Sequence, residues 1–173
     1  FAVMLKLDNY GEVLLSADKV DKQNLIFSME DQILLTLNNR NKNTVLIPAE
    51  KAKNKVIGST RYLNIRPEHR SLEIGWTWLG QQWQRTPANT EAKLLLLSHA
   101  FDRLGCVRVE FNTDARNARS QRALERIGAT REGVLRKHMI VQGNFARDSV
   151  YFSVIDSDWP KVRERLTLLR ERA

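Results

Sequence analysis

The sequence predicts a mixed α/β (α+β) domain, and three observations carry that prediction. A strand-forming run, Ser71-Leu72-Glu73-Ile74-Gly75-Trp76-Thr77-Trp78-Leu79, is followed by a polar loop and a helix-forming run. A second strand-forming run, Cys106 to Thr113, comes after that helix, and the order strand, helix, strand implies a crossover with parallel pairing. Later, Gly133 to Val141 and Phe145 to Ile155 flank Gln142-Gly143-Asn144 as an antiparallel hairpin would. No Gly- or Ser-rich linker and no internal repeat interrupts the chain, so one domain is expected over 1–173.

Taken in order, Met4 to Leu7 and Glu12 to Leu15 read as a strand or a short strand pair, and Val20 to Leu37 as one or two helices. The polar stretch Leu37 to Thr44 is the nearest thing to a break. Thr44 to Ile47 and Val56 to Leu63 form a hairpin across the Lys-rich turn Lys51 to Lys55. Asn117 caps a helix with apolar Ala118, Ala123, Leu124 and Ile127, stopped by Gly128. Asp158 caps a closing charged helix with Pro160 in its first turn and Val162, Leu166 and Leu169 on one stripe.

The junction from Trp83 to Leu97 is the most informative segment, because a polar loop runs straight into a helix start. First-turn amides have no intrahelical partner and carry partial positive charge, which suits an anion and above all a phosphate. Asn89 or Thr90 serves as N-cap, Arg85 adds a full charge, and strong helix formers behind them fix the amides. The loop falls at the carboxyl end of the preceding strand, where ligands of α/β sheets collect. An ordinary capped amphipathic helix is the plainer alternative.

Composition bounds the function classes. The chain has 173 residues, enough to bury a core, and 28 Lys and Arg against 20 Asp and Glu give a net charge of +8. That balance favours polyanionic ligands or acidic partners. The lone Cys106 rules out an intramolecular disulfide framework and reads as a buried packing residue. His69, His99 and His138 lack metal-ligand spacing, so no metal is expected. No signal-peptide pattern and no apolar run of membrane-spanning length is present, and Leu94 to Leu97 is too short, so a soluble cytoplasmic protein without membrane contact is expected. The chain opens on Phe1 rather than Met, which reads as a processed or trimmed start.

Four pieces in order, "VIGSTRYLNI", "LEIGWTWLGQQWQRTPANTEAKLLLLSHAFDRLG", "VRVEFNTDARNARSQRALERIGATREGVLRKH" and "RDSVYFSVIDSDWP", resemble the GNAT acetyltransferase superfamily, and more narrowly relatives of the ribosomal-protein N-terminal alanine and serine acetyltransferases. The resemblance implies a mixed central sheet of about six to seven strands, splayed at the cofactor site and flanked by helices. It implies acetyl-CoA as cosubstrate and a primary amine, on a protein N-terminus or a small molecule, as acceptor. A homodimer is compatible with it. The family's pyrophosphate loop falls on Gln84, Pro87 and Asn89, and both positions usually held by small residues depart from the pattern. Proline removes a donor at 87, whereas Asn89 is able to adopt the left-handed conformation of a glycine. The expected cradle is therefore the remaining amides and side chains of Gln84, Arg85, Thr86, Ala88, Asn89 and Thr90.

Acyl transfer from a thioester needs a base for the amine, a donor for the oxyanion and an acid for the thiolate. Glu73 shares a strand face with Ser71 and Gly75, and partial burial would raise its pKa toward that of a base. Its alternative is a half-exposed carboxylate paired with an Arg. The resemblance brings Ser120, in "NARS", and Tyr151, in "DSVYFSV", near the sulfur as candidate acids; each is otherwise a satisfied hydroxyl. It also implies a bulge that frees an amide among Trp76, Thr77, Trp78 and Leu79, with Trp78 and Leu79 beside the pantetheine arm, and Asn117 and Ser120 bonding it from the following helix. Alternation places Trp76 and Trp78 on one strand face as an aromatic wall or plain core packing. Arg136, Lys137 and His138 read as a solvated edge. Two rivals remain: a GNAT-fold CoA-binding module without catalysis, and a basic RNA- or ribosome-associated protein. Nucleic acid is the less favoured partner, because no aromatic and basic motif of an RNA-binding sheet is present.

Overall fold

A computed structural model describes residues 2–7, 44–50 and 55–171, with side-chain surroundings from residue 57 onward. The strand expected at Glu12 to Leu15, the helices across Val20 to Leu37, the polar break up to residue 43 and the turn at 51–54 lie outside the described residues. Among the described residues eight strands form one mixed sheet: β1 (Ala2–Leu7), β2 (Thr44–Glu50), β3 (Lys55–Val56), β4 (Gly58–Arg66), β5 (Ser71–Leu79), β6 (Arg108–Asp114), β7 (Thr130–Val141) and β8 (Phe145–Ile155). Their order is β1-β2-β4-β5-β6-β8-β7, with the two-residue β3 pairing β2. Three helices follow the expected positions: α1 (Ala88–Ser98), continued by a π-helical turn at His99–Arg103, α2 (Ala118–Ile127) and α3 (Trp159–Glu171).

Among the described strands only β5 and β6 pair in parallel, as the strand, helix, strand order requires. The helices pack on one face of the sheet. There Tyr62, Leu72, Ile74, Val109, Phe111, Val150, Phe152 and Val154 meet Leu96, Leu97, Leu124, Ile127 and Leu166 in one buried cluster. Tyr62 donates its hydroxyl to Leu96 O at 2.7 Å and pins α1 to β4. Alternation sends Glu73, Glu110, Asn112, Ser149, Tyr151 and Ser153 to the opposite face. Cys106 is buried, and burial pushes its thiol up to about 11, the behaviour of a packing residue. No described helix is long and apolar enough to cross a membrane.

Helix ends obey local chemistry with one exception. Asn117 caps α2 by accepting from Ser120 N at 3.0 Å, and Gly128 ends it at φ 95°, a conformation that favours glycine. At α1 neither Asn89 nor Thr90 is the cap. Pro87, at φ −59°, opens the helix, and Thr86 Oγ1 accepts from Ala88 N at 3.3 Å while donating to Trp83 O at 2.8 Å. Proline wins this position because its fixed φ is already helical and its missing N–H costs nothing at a helix start.

Candidate active site

The site begins where β5 parts from β6. Their parallel register holds for Ser71 with Arg108, Leu72 with Val109 and Glu73 with Glu110, and ends there. Beyond Glu73, β5 stays with β4, whose Ser59 and Gly58 oppose Trp78 and Leu79, while β6 follows β8 to the pair Asp114 and Ser149. One extra residue in β5, between the pairs Arg61 with Gly75 and Ser59 with Trp78, makes a bulge in which Trp76 sits at φ 50°. The opened gap leaves strand edges for an extended, amide-bearing chain to pair with. The bulge also overturns the expectation of plain core packing for Trp76 and Trp78. Their exposures are 70% and 59%, and the Arg61 guanidinium lies 4.9 Å from the Trp76 ring centre.

Glu73 stands at the vertex of the gap and is only 3% exposed. Asn64 Nδ2 donates to its Oε2 at 2.8 Å and Asn112 Nδ2 to its Oε1 at 2.6 Å. A second bulge, in β4, brings Asn64 there at φ 46°, a conformation asparagine tolerates. The carboxylate is thus bonded by amides rather than paired with an Arg. Burial raises its pKa, the Asn64 bond opposes that rise, and the charge of Glu110 adds to it. Gly75 makes room: a Cβ at that position would lie 2.8 Å from Leu63 Cδ1 and 3.1 Å from Glu73 Oε1.

On the same face Arg147 Nη2 donates to Asn112 Oδ1 at 2.7 Å and to Ser149 Oγ at 2.8 Å, and His138 Nδ1 lies 3.0 Å from that hydroxyl. Tyr151, opposite Asn112, meets His138 edge to face. Burial, then the charges of Glu73 and Glu110, raise its pKa and keep the phenol protonated. Arg66 and Arg108 hold Glu110, and Arg108 continues to Glu132, which Ser153 also contacts.

The loop and helix start expected to hold an anion lie on the helix side. Arg85 adopts φ 64° and supplies the left-handed turn, whereas Asn89 is already inside α1, which corrects the expectation that Asn89 would take that role. As the first three residues of α1, Ala88, Asn89 and Thr90 carry amides with no carbonyl one turn earlier in the helix. Thr90 is buried and its hydroxyl accepts from Arg126 Nη2 at 3.2 Å, whereas Asn89 is partly exposed. Gln84 is a brace: its Nε2 donates to Leu79 O at 3.0 Å and its Oε1 accepts from Arg119 Nη1 at 2.9 Å. Arg119 and Arg126 therefore reach one helix start, through Gln84 and Thr90, and exposed Arg85 lies in the loop before it.

The structure separates the two candidate acids. Tyr151 shares the face of Glu73, whereas Ser120 lies in the first turn of α2, a helix whose Leu124 and Ile127 join the core on the other side. Asn117 and Ser120 sit beside Arg119 and its link to Gln84. Several residues went unrecognised in the sequence. Asn64 depends on a bulge, Asn112 and Arg147 on a long-range pairing, and Arg119 on a contact with Gln84 in the distant loop before α1. Lys93 did leave a signal, as a charge on the stripe Ala92, Leu96, Leu97 and Ala100; it is 4% exposed, and burial lowers its pKa to about 7. Among the described residues no group of three His, Cys, Asp or Glu forms a metal set.

Comparison with known proteins gives this arrangement its class. The acetyltransferase (GNAT) domain family matches residues 16–130. The uncharacterized N-acetyltransferase YnaD of Bacillus subtilis is 26% identical over 135 residues, 78% of each chain. The protein named "Putative ribosomal N-acetyltransferase YdaF" of the same organism is 31% identical over 96 residues, 56% of this chain and 51% of its own. The crystal structure of a GCN5-related N-acetyltransferase from Brucella melitensis superposes with a TM-score of 0.68 at 37% identity, covering 75% of this chain and 57% of that one. This chain thus spans about half the length of YdaF and less than two thirds of the Brucella protein. With a sheet that opens after Glu73 beside a helix start, and with two thirds of its length matched, the chain belongs to the GNAT acetyltransferase family.

Proposed function

We propose that the protein transfers an acetyl group from acetyl-CoA to a primary amine, on a protein N-terminus or a small molecule, by direct attack. The observation that carries this reading is the parting of β5 from β6 at Glu73, with the first turn of α1 at one end of the gap and a buried carboxylate at its vertex. The residues present fit the cosubstrate. The Asn89 amide and the positive end of α1, with Arg119 and Arg126 reaching the same turn and Arg85 in the loop before it, suit a diphosphate, and the opened strand edges with Asn117 suit the pantetheine arm.

Acetyl-CoA supplies the activated acyl group and a thiolate leaving group. Glu73 takes the amine proton directly or through water, since its raised pKa brings a carboxylate closer to the range a base needs. The gap of β5 offers amides from Trp76 to Leu79 to polarise the carbonyl. Tyr151, protonated and near Glu73, and Ser120, across the sheet, are the two hydroxyl candidates for the thiolate proton.

Calorimetry with coenzyme A, followed by an amine panel scored for free thiol, tests this directly. Expected are saturable binding and turnover with at least one amine. Binding without turnover on any amine would favour a catalytically silent CoA-binding module. No heat of association, together with salt-sensitive affinity for RNA, would replace the reading by that of a basic ribosome-associated protein.

A further inference from the structure

We propose that Lys93 is the proton reservoir for the departing thiol and delivers through the hydroxyl of Thr77. The inference rests on the acyl-transfer reading above. Lys93 Nζ donates to Thr77 Oγ1 at 2.9 Å and to Thr60 Oγ1 at 3.4 Å, and the two hydroxyl oxygens are 2.9 Å apart. Thr77 lies one residue beyond the Trp76 bulge, on the arm of β5 that has left β6, and its residue is exposed while Lys93 is buried. The trio therefore runs from the interior under α1 to the wall of the gap, where the thioester arm must pass.

The company of the ammonium is what makes it available. From β4 it meets Thr60, from β5 Thr77 and from β6 the Phe111 ring at 5.9 Å; no carboxylate or second cation faces it among the described residues. Among the described residues this ammonium is bonded only by hydroxyls, and a thiolate formed beside Thr77 would give it a counter-charge. Desolvation alone accounts for the lowering of its pKa to about 7, which suits a proton donor at neutral pH. Tyr151 moves the other way, since its burial and nearby carboxylates strengthen its hold on the proton.

The step balances without a co-reactant. The carbon–sulfur bond breaks and its electron pair goes to sulfur. Sulfur takes the Thr77 hydroxyl proton as Thr77 Oγ takes one from Lys93 Nζ. Lys93 is left neutral and regains a proton from solvent, which receives the one that the amine released at Glu73. Thioester and amine are consumed, and amide and thiol are formed.

Coenzyme A itself is the probe, with the ultraviolet absorbance of its thiolate read against pH in complexes of the wild type and Lys93→Met. Expected is a thiol that ionises roughly one to two pH units lower in the wild-type complex, an excess of thiolate of about five- to fiftyfold at the wild-type midpoint. Coincident ionisation curves with coenzyme A bound to both proteins would overturn the relay and leave the acyl-transfer reading intact. Absence of binding to the wild type would instead remove the reading beneath it. Should Lys93→Met fail to fold, Thr77→Val and Thr77→Ser decide: the relay requires a turnover loss of at least tenfold in Val that Ser restores, and equal pH profiles for the two refute it.

Discussion

Asn112 donates to Glu73 Oε1 at 2.6 Å while its own carbonyl accepts from Arg147 at 2.7 Å, so a cation on β8 fixes the amide that holds the carboxylate of β5. The gap beyond Glu73 removes the strand contact that would otherwise steady it. Asn64 on the other oxygen completes a clamp from two neighbouring strands.

Glu73→Gln is expected to lower the rate of acetyl transfer by about two to four orders of magnitude, the usual worth of a general base. The fold should survive. Because burial raises the folded-state pKa of Glu73, its contribution to stability is present below its unfolded value and lost as pH rises through the folded one. The amide variant carries no such loss, so urea denaturation at neutral pH should show it at least as stable as the parent. Arg147 fixes the Asn112 amide, so the new amide nitrogen must face exposed Asn64, which is free to turn. A rate within about twofold of the parent would remove Glu73 from the chemistry.

Asn112→Ala deletes one donor to the charged form of that carboxylate, which disfavours ionisation. The acid limb of the rate profile should therefore move to higher pH, with a smaller change in the plateau than Glu73→Gln produces. A plateau loss with an unmoved limb would mean that Asn112 shapes the acceptor pocket instead. Profiles of kcat/KM from acid to neutral pH distinguish the two.

Most of the frame was legible because its elements are strongly periodic or sharply capped. Ser71 to Leu79, the Asn117 cap, the Gly128 stop and the closing hairpin needed only local chemistry. The start of α1 was misplaced by two or three residues because capping propensity at Asn89 and Thr90 competed with the preset φ of Pro87, and proline prevailed. Bulges were harder. A single inserted residue at Trp76 or Asn64 leaves little trace in composition, yet it decides which way Trp76 points and what Glu73 touches. Asn112, Arg147 and Arg119 act through partners 35 or more positions away, and pairing at that range cannot be read from spacing.

Arg85→Gly should move two readouts in opposite directions. Arg85 sits at φ 64°, a conformation costing an L-residue roughly 1–2 kcal/mol, part of which glycine returns through its greater freedom when unfolded. A thermal midpoint higher by about 1–3 °C is expected. Removing the charge beside the first turn of α1 should meanwhile weaken coenzyme A binding about five- to tenfold, by loss of one charge-assisted contact. Unchanged affinity in calorimetry would show that Arg85 serves the turn alone and that Arg119 and Arg126 carry the charge.

Lys93 should leave its mark on stability as well as on catalysis. Its pKa falls from 10.5 to about 7 on folding, so between those values the unfolded chain binds a proton that the folded chain does not. Stability should then rise with pH across that window, by a few kcal/mol at most when 1.36 kcal/mol is assigned to each unit. Below pH 7 the folded protein must carry the buried ammonium, and the contribution is flat. Lys93→Met places an unbranched apolar side chain of similar length on the stripe of Leu96, Leu97 and Ala100, and it should abolish the slope while raising stability near neutral pH. Urea midpoints for both proteins from pH 6.5 to about 9.5 provide the measurement. Parallel curves would mean that the ammonium keeps its proton inside the fold, held by Thr60 and Thr77 more firmly than burial opposes it.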